Sequence, residues 1–313
     1  MTLQQQIRAN RRRTAFVVLA FAGLIVVFAA ASAAFVGRPG AIGLLAFGLA
    51  YGLFAWWNAG RLIGGLTHAH PLQKSDDPEL YRLIENVSIA AGLPATPPIY
   101  LIDDPAPNAF AAGSRPSTVY VGVTSGLRKL MSARELEAVL AHEISHIRNR
   151  DVRLMTLAAV LVGVIAMISD FAFRMAFFSG RGSRDRNPIQ LIAAIVALVL
   201  APIAAVMLQM ALSRRREFLA DASAAAILND PEAMALALRR LELDTSEVVY
   251  ADRATAHLFI ESPTRSVKGP GAFLSGLFQT HPPLQDRIRA LEEAGGFRLD
   301  GLPDSGTPDQ MPA

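Results

Sequence analysis

His142-Glu143-Ile144-Ser145-His146 is the stretch from which the rest of the chain is read. It has the H-E-x-x-H pattern of a catalytic zinc site. On a helix, residues four apart share one face about a turn apart, so both imidazoles can reach one ion. Glu143 lies beside them, where its carboxylate can take a proton from a water activated by the metal. The flanks predict that helix. Ser132 and Glu135 form an S-x-x-E capping box, Met131 and Leu136 occupy the hydrophobic-staple positions, and Leu136, Val139, Leu140 and Ile147 recur at helical spacing. The alternative is a surface helix carrying the pattern by chance.

The composition is that of a membrane protein. Of 313 residues 52% are hydrophobic, and the mean hydropathy is +0.32. Thr14 to Val36 and Ala41 to Trp57 carry no charge, and the second run ends in a Trp-Trp pair suited to the interface. Leu154 to Phe178, broken by Asp170 and Arg174, and Ile189 to Leu212, containing Pro202, complete four expected membrane segments. Arg8, Arg11, Arg12 and Arg13 precede the first run, which places the N-terminus in the cytoplasm. Gly37-Arg38-Pro39-Gly40 then returns the chain as a hairpin. A cleaved signal peptide ending near Ala31-Ser32-Ala33 is the competing reading, but the apolar stretch is too long and a second follows at once. The net charge of +3 gives no reason to expect nucleic acid, and the sequence sets no oligomeric state. With no cysteine, there are neither disulfides nor thiolate ligands, so any further zinc ligand is His, Asp or Glu.

The expected organisation has five parts. Residues 1–57 are a basic cytoplasmic N-terminus and the first transmembrane hairpin. Residues 58–153 are the first part of a cytoplasmic peptidase domain, with a helix over Pro78 to Gly92, a strand over Ile99 to Ile102, and a β-hairpin joining Asn108–Ala112 to Thr118–Val123 before the motif helix. Residues 154–212 hold two further hydrophobic segments. Residues 213–300 are the second part, with helices to about Leu228, from Pro231 to about Leu243, and from Pro283 to Ala294. Residues 301–313 are a disordered tail.

Catalytic zinc has three protein ligands and an open position, so a third ligand is needed. Glu217 is the best candidate. Asp221 follows one turn later, placed to accept a hydrogen bond from the far nitrogen of a ligand histidine. Alternatively, both balance Arg214, Arg215 and Arg216 on a solvated face. His146 and Glu217 must share a compartment, which requires an even number of crossings between them. Arg181, Arg184 and Arg186 oppose an external loop there, and Asp170 with Arg174 reads as an i,i+4 pair near the membrane boundary.

His142 to His146, Glu217-x-x-x-Asp221, Asn108-Ala109-Phe110-Ala111 and His281-Pro282-Pro283, in that order, resemble the HtpX-type membrane peptidases, relatives of the CAAX prenyl proteases. The resemblance implies one Zn2+ per chain held by His142, His146 and Glu217, with Glu143 catalytic. It further implies that His281 and Arg287 contact the substrate carbonyl, where a donor stabilises the developing oxyanion. The other reading of these two is a helix start and a salt bridge from Arg287 to Asp286 or Glu292. Asn108, Ala109, Phe110 and Ala111 resemble the family's substrate-binding edge strand, the alternative being a plain core hairpin. His68, His70 and His257 read as structural. The implied protein is mostly α with a small β-sheet, a multi-spanning membrane protein with a gluzincin-like zinc peptidase domain. It would reside in the cell (inner) membrane, contact the lipid bilayer, and cut membrane or misfolded polypeptide substrates. A catalytically silent zinc-binding scaffold or regulatory subunit is the alternative, and a transporter is weaker.

Overall fold

A computed structural model describes residues 3–113, 115–157, 214–244 and 282–299. The third hydrophobic segment beyond Leu157, the fourth segment, the Asp170–Arg174 pair, His257, His281 and the C-terminal tail lie outside the described residues.

Helix α1 (Leu3–Leu66) is assigned without a break through Pro39. A straight helix of that length would hold positions 25 and 48 more than 30 Å apart, at about 1.5 Å per residue. Yet a Cβ on Gly48 would stand 2.7 Å from Ile25 Cγ2, and one on Gly52 would stand 3.4 Å from Phe21 Cε1. The chain therefore folds back on itself in antiparallel register, with the midpoint at Gly37. The short link of the expected hairpin is itself assigned as helix, so two helical halves abut there. Helix also continues past Trp57, since Asn58 to Leu66 contains no proline and its glycines receive the sheet. Gly60 lies against Gly113 Cα, and its carbonyl accepts a hydrogen bond from Tyr120 Oη at 3.2 Å. Taken over the described residues alone, no helix is long and apolar enough to cross a membrane.

Strands β1 (His70–Pro71), β2 (Ile99–Ile102), β3 (Ala109–Ala112) and β4 (Tyr120–Thr124) form one sheet in the order β1-β2-β4-β3. The expected hairpin is present, with β3 antiparallel to β4. β1 and the parallel pairing of β2 with β4 are additional. All of β3 and β4 is buried, because the sheet is covered on both faces. Ala109, Val121 and Val123 join the main core, whereas Phe110, Ala112 and Tyr120 pack with Ile63 of α1. Among the described residues β3 is paired on one side only.

Helix α2 (Pro78–Ala90) begins at Asp77, whose carboxylate accepts from the Leu80 N–H at 2.9 Å. After β4 comes α3 (Ser125–Leu130), which the sequence reading missed. It lies so close to the irregular segment leading into β3 that a Cβ on Gly126 would stand 2.0 Å from Pro105 O. Gly126→Ala is therefore expected to destabilise the protein by about 3 kcal/mol, since neither backbone can yield without moving the sheet. Thermal unfolding of the detergent-solubilised variant checks this, and an unchanged midpoint would contradict that close approach.

Helix α4 (Ala133–Asn149) carries the motif and has the expected capping box. The Glu135 N–H donates to Ser132, and the Ser132 N–H donates to the Glu135 carboxylate at 2.9 Å. Leu136, Val139, Leu140 and Ile144 are fully buried against α2, α5 (Arg214–Leu228) and α6 (Pro231–Leu243). Helix α7 (Leu284–Gly295) packs Leu284, Ile288 and Leu291 into the same core. These helices hold α4 between the sheet and α5, so the motif side chains point into an enclosed space.

Candidate metal centre

His142 and His146 are 2% and 3% exposed, and their Nε2 atoms lie 3.2 Å apart. Glu217 enters from the first turn of α5, with one carboxylate oxygen 3.7 Å from His142 Nε2 and the other 3.7 Å from His146 Nε2. Helix α5 can come this close because Glu217, Ala220, Asp221 and Ala224 form one stripe at helical spacing. Its two alanines are fully buried and leave room for the carboxylates. The alternative of a solvated acidic face is thereby excluded, with Glu217 4% and Asp221 2% exposed.

Each histidine is held from behind by a carboxylate. His142 Nδ1 donates to Asp221 Oδ1 at 2.8 Å, and His146 Nδ1 donates to Asp151 Oδ2 at 3.1 Å. Because a carboxylate of this kind accepts only, both Nδ1 atoms carry a proton, and the Nε2 atom of each ring is the one that faces the shared space. Burial disfavours charge on His146, but Asp151, Glu217 and Glu143 outweigh it and hold the ring at about 10. The carboxylates around the site thus draw positive charge into it.

Arg287 is fully buried. Its Nε and Nη2 donate to Asp221 at 2.8 and 2.6 Å, while Nη1 lies 3.6 Å from Glu217 Oε2 and makes no hydrogen bond. Neither Asp286 nor Glu292 is its partner. Glu292 instead takes Arg298 and the Leu299 N–H. Burial pushes Asp221 up, yet the Arg287 guanidinium brings its carboxyl below the usual range.

Glu143 is 5% exposed and accepts a hydrogen bond from the Ala111 N–H of β3. Burial raises its pKa, partly countered by the two histidines and that N–H, so the carboxylate is a stronger proton acceptor than one in water. The hydrogen bond also brings the unpaired side of β3 beside the metal-ligand atoms. Asn108, just before the strand, is fixed through its backbone, its N–H donating to Thr124 Oγ1 at 2.8 Å.

The structure thus brings together His142, Glu143, His146, Glu217, Asp221, Arg287 and the Asn108–Ala111 strand, while His281 lies outside the described residues. Asp151 was missed by the sequence reading, although it stands just past the motif helix, five residues from His146.

The donor set fits zinc. His142, His146 and Glu217 form the group able to hold a metal among the described residues, with ligand atoms all within 4.8 Å of one another. Tetrahedral zinc sets two ligand nitrogens about 3.3 Å apart, close to the spacing here. Two Nε2 atoms and a carboxylate converging in a buried space are also a donor set that a shared cation would satisfy.

Comparison with known proteins gives a consistent result. Residues 74–295 match Peptidase family M48. The chain is 43% identical over 303 residues to a protein named Protease HtpX homolog from Lactobacillus helveticus (strain DPC 4571), covering 93% of this chain and 99% of that one. A protein of the same name from Dictyoglomus thermophilum (strain ATCC 35947 / DSM 3960 / H-6-12) is 40% identical over 299 residues, covering 94% of this chain and 95% of that one. Among solved structures, the crystal structure of S. mikatae Ste24p is similar with a TM-score of 0.49 and 20% identity, over 92% of this chain and 67% of that one.

Proposed function

The chain belongs to peptidase family M48, and from that premise we propose that it is an integral membrane zinc endopeptidase that cuts membrane or misfolded proteins at the cytoplasmic face of the cell membrane. That it is a metalloprotease follows from the family and the His142–His146–Glu217 site. The observation carrying the mechanism is the meeting of three groups in one buried space: the metal-ligand atoms, the Glu143 carboxylate and the unpaired side of β3.

His142, His146 and Glu217 would hold zinc, which when bound acidifies a water and polarises a carbonyl. An extended substrate adds to β3 by main-chain pairing along Asn108 to Ala111, bringing its scissile bond beside Glu143. Glu143 accepts the proton of the attacking water and returns it to the leaving amine nitrogen. Asp221 orients His142 and is itself held by Arg287. Arg287 Nη1, free of a hydrogen-bond acceptor, and His281 are assigned to the oxygen of the scissile carbonyl as it gains charge. A buried carboxylate beside the two ligand histidines, held by one backbone N–H, suits a proton acceptor better than a silent structural metal site.

The uncharged runs of the sequence support the membrane assignment. So do the exposed apolar side chains of α1, among them Phe16, Leu19, Ile42 and Phe47. At the end of the second run, Arg115 lies over the Trp57 ring at 5.3 Å, a pair suited to the bilayer interface and consistent with a peptidase domain set against it.

Chelation tests the function. Stripping the metal from detergent-purified protein is expected to lower cleavage of an unfolded polypeptide by at least about 100-fold, with recovery on adding zinc. Undiminished cleavage by verified metal-free protein would refute it.

A further inference from the structure

Asp151 stands where the chain leaves α4 and re-enters helix at Val152. The Met155 N–H donates to its carbonyl at 3.0 Å, so it occupies the N-cap position of that next helix. An aspartate there ordinarily turns its carboxylate onto a backbone N–H two or three residues on. Asp151 does not. Its Oδ2 takes His146 Nδ1, and its Oδ1, buried, has no hydrogen-bond partner. Burying a carboxylate with one oxygen unsatisfied is unfavourable, and a serine would cap the helix without that cost.

The backbone is bent to the same end. Arg150, at φ 58, takes the left-handed conformation that usually falls to glycine at a helix end. This reversal brings the Asp151 N–H to 3.3 Å from His146 O and the carboxylate under the His146 ring. Forgone cap, orphaned oxygen and left-handed arginine are all unfavourable locally, and all serve one contact.

We infer that Asp151 is a positioning residue of the metal centre, fixing the tautomer and orientation of His146 so that Nε2 faces the ion, and raising that nitrogen's basicity. It is the counterpart, at the second histidine, of Asp221 at the first. The inference rests on the zinc reading of His142, His146 and Glu217.

Three forms of the full-length chain in detergent separate positioning from capping: wild type, Asp151→Ser and Asp151→Asn. Serine can cap the helix but is too short to reach the ring, whereas asparagine keeps an acceptor at the same length. Zinc dissociation constants come from competition with a chromophoric chelator, and the unfolding midpoint is taken on metal-free protein. Asp151→Ser is expected to unfold at or above the wild-type midpoint yet bind zinc about 10–100-fold more weakly, with Asp151→Asn recovering most of that loss. Zinc affinity in Asp151→Ser within about twofold of wild type would overturn the inference, as would a lowered midpoint with unchanged affinity. Wild type that binds no zinc would instead refute the metal reading beneath it. Should Asp151→Ser fail to fold, Asp151→Asn decides: near-wild-type affinity supports the inference, and a loss of tenfold or more overturns it.

Discussion

Glu143→Gln is expected to keep its zinc and its fold while kcat/KM for an unfolded polypeptide falls by about 10²–10⁴-fold, the range for losing a general base. The substitution preserves shape, and the amide oxygen can still accept the Ala111 N–H, so β3 stays docked on α4. What is lost is the ability to take up a proton. Burial, which sets Glu143 above an ordinary carboxylate, does nothing for an amide. The loss should fall on kcat, because Glu143 is assigned to the reacting atoms. An effect confined to KM would mean that it only helps to bind substrate, and near-normal turnover would remove the base from the mechanism.

Arg287→Met is expected to cost about 3–5 kcal/mol of stability and to weaken zinc binding with it. Arg287 is fully buried and forks onto Asp221, which in turn holds His142. Removing the guanidinium leaves the Asp221 carboxylate without the cation on which it is forked. Lysine should rescue poorly, since a single ammonium cannot make both hydrogen bonds in the plane that the fork supplies. Asp221→Asn on the Arg287→Met background should recover part of the loss, and unfolding of both single variants and the double measures that coupling. Additive effects would mean that the pair contributes no specific stability.

The motif helix was legible because its signals are local. Ser132, Glu135 and the buried positions of α4 act within a turn or two of one another, so spacing alone suffices. Glu217 and Asp221 were legible for a different reason, the chemical need for a third ligand and a histidine partner. Arg287 was only half legible. The sequence offered Asp286 and Glu292 beside it, but the side chain crosses to Asp221, a partner that only the packing of α7 against α5 brings near. Asp151 escaped for a related reason: an aspartate opening a helix looks like an ordinary cap until its carboxylate is seen on His146. The parallel pairing of β2 with β4 also leaves no local mark, because Ile99 to Ile102 is apolar at every position and β4 is buried throughout, so neither strand shows alternation. Past Trp57, the arrival of polar residues suggested that the helix would stop, whereas Gly60 and Gly64 continue it as a bed for Tyr120.

Zinc content per chain, measured together on wild type, Glu143→Gln and Glu217→Ala, tests the site most directly. A metal centre built from His142, His146 and Glu217, with Glu143 outside the ligand set, gives about one zinc in the first two and nearly none in the third. A full complement of zinc in Glu217→Ala would contradict it.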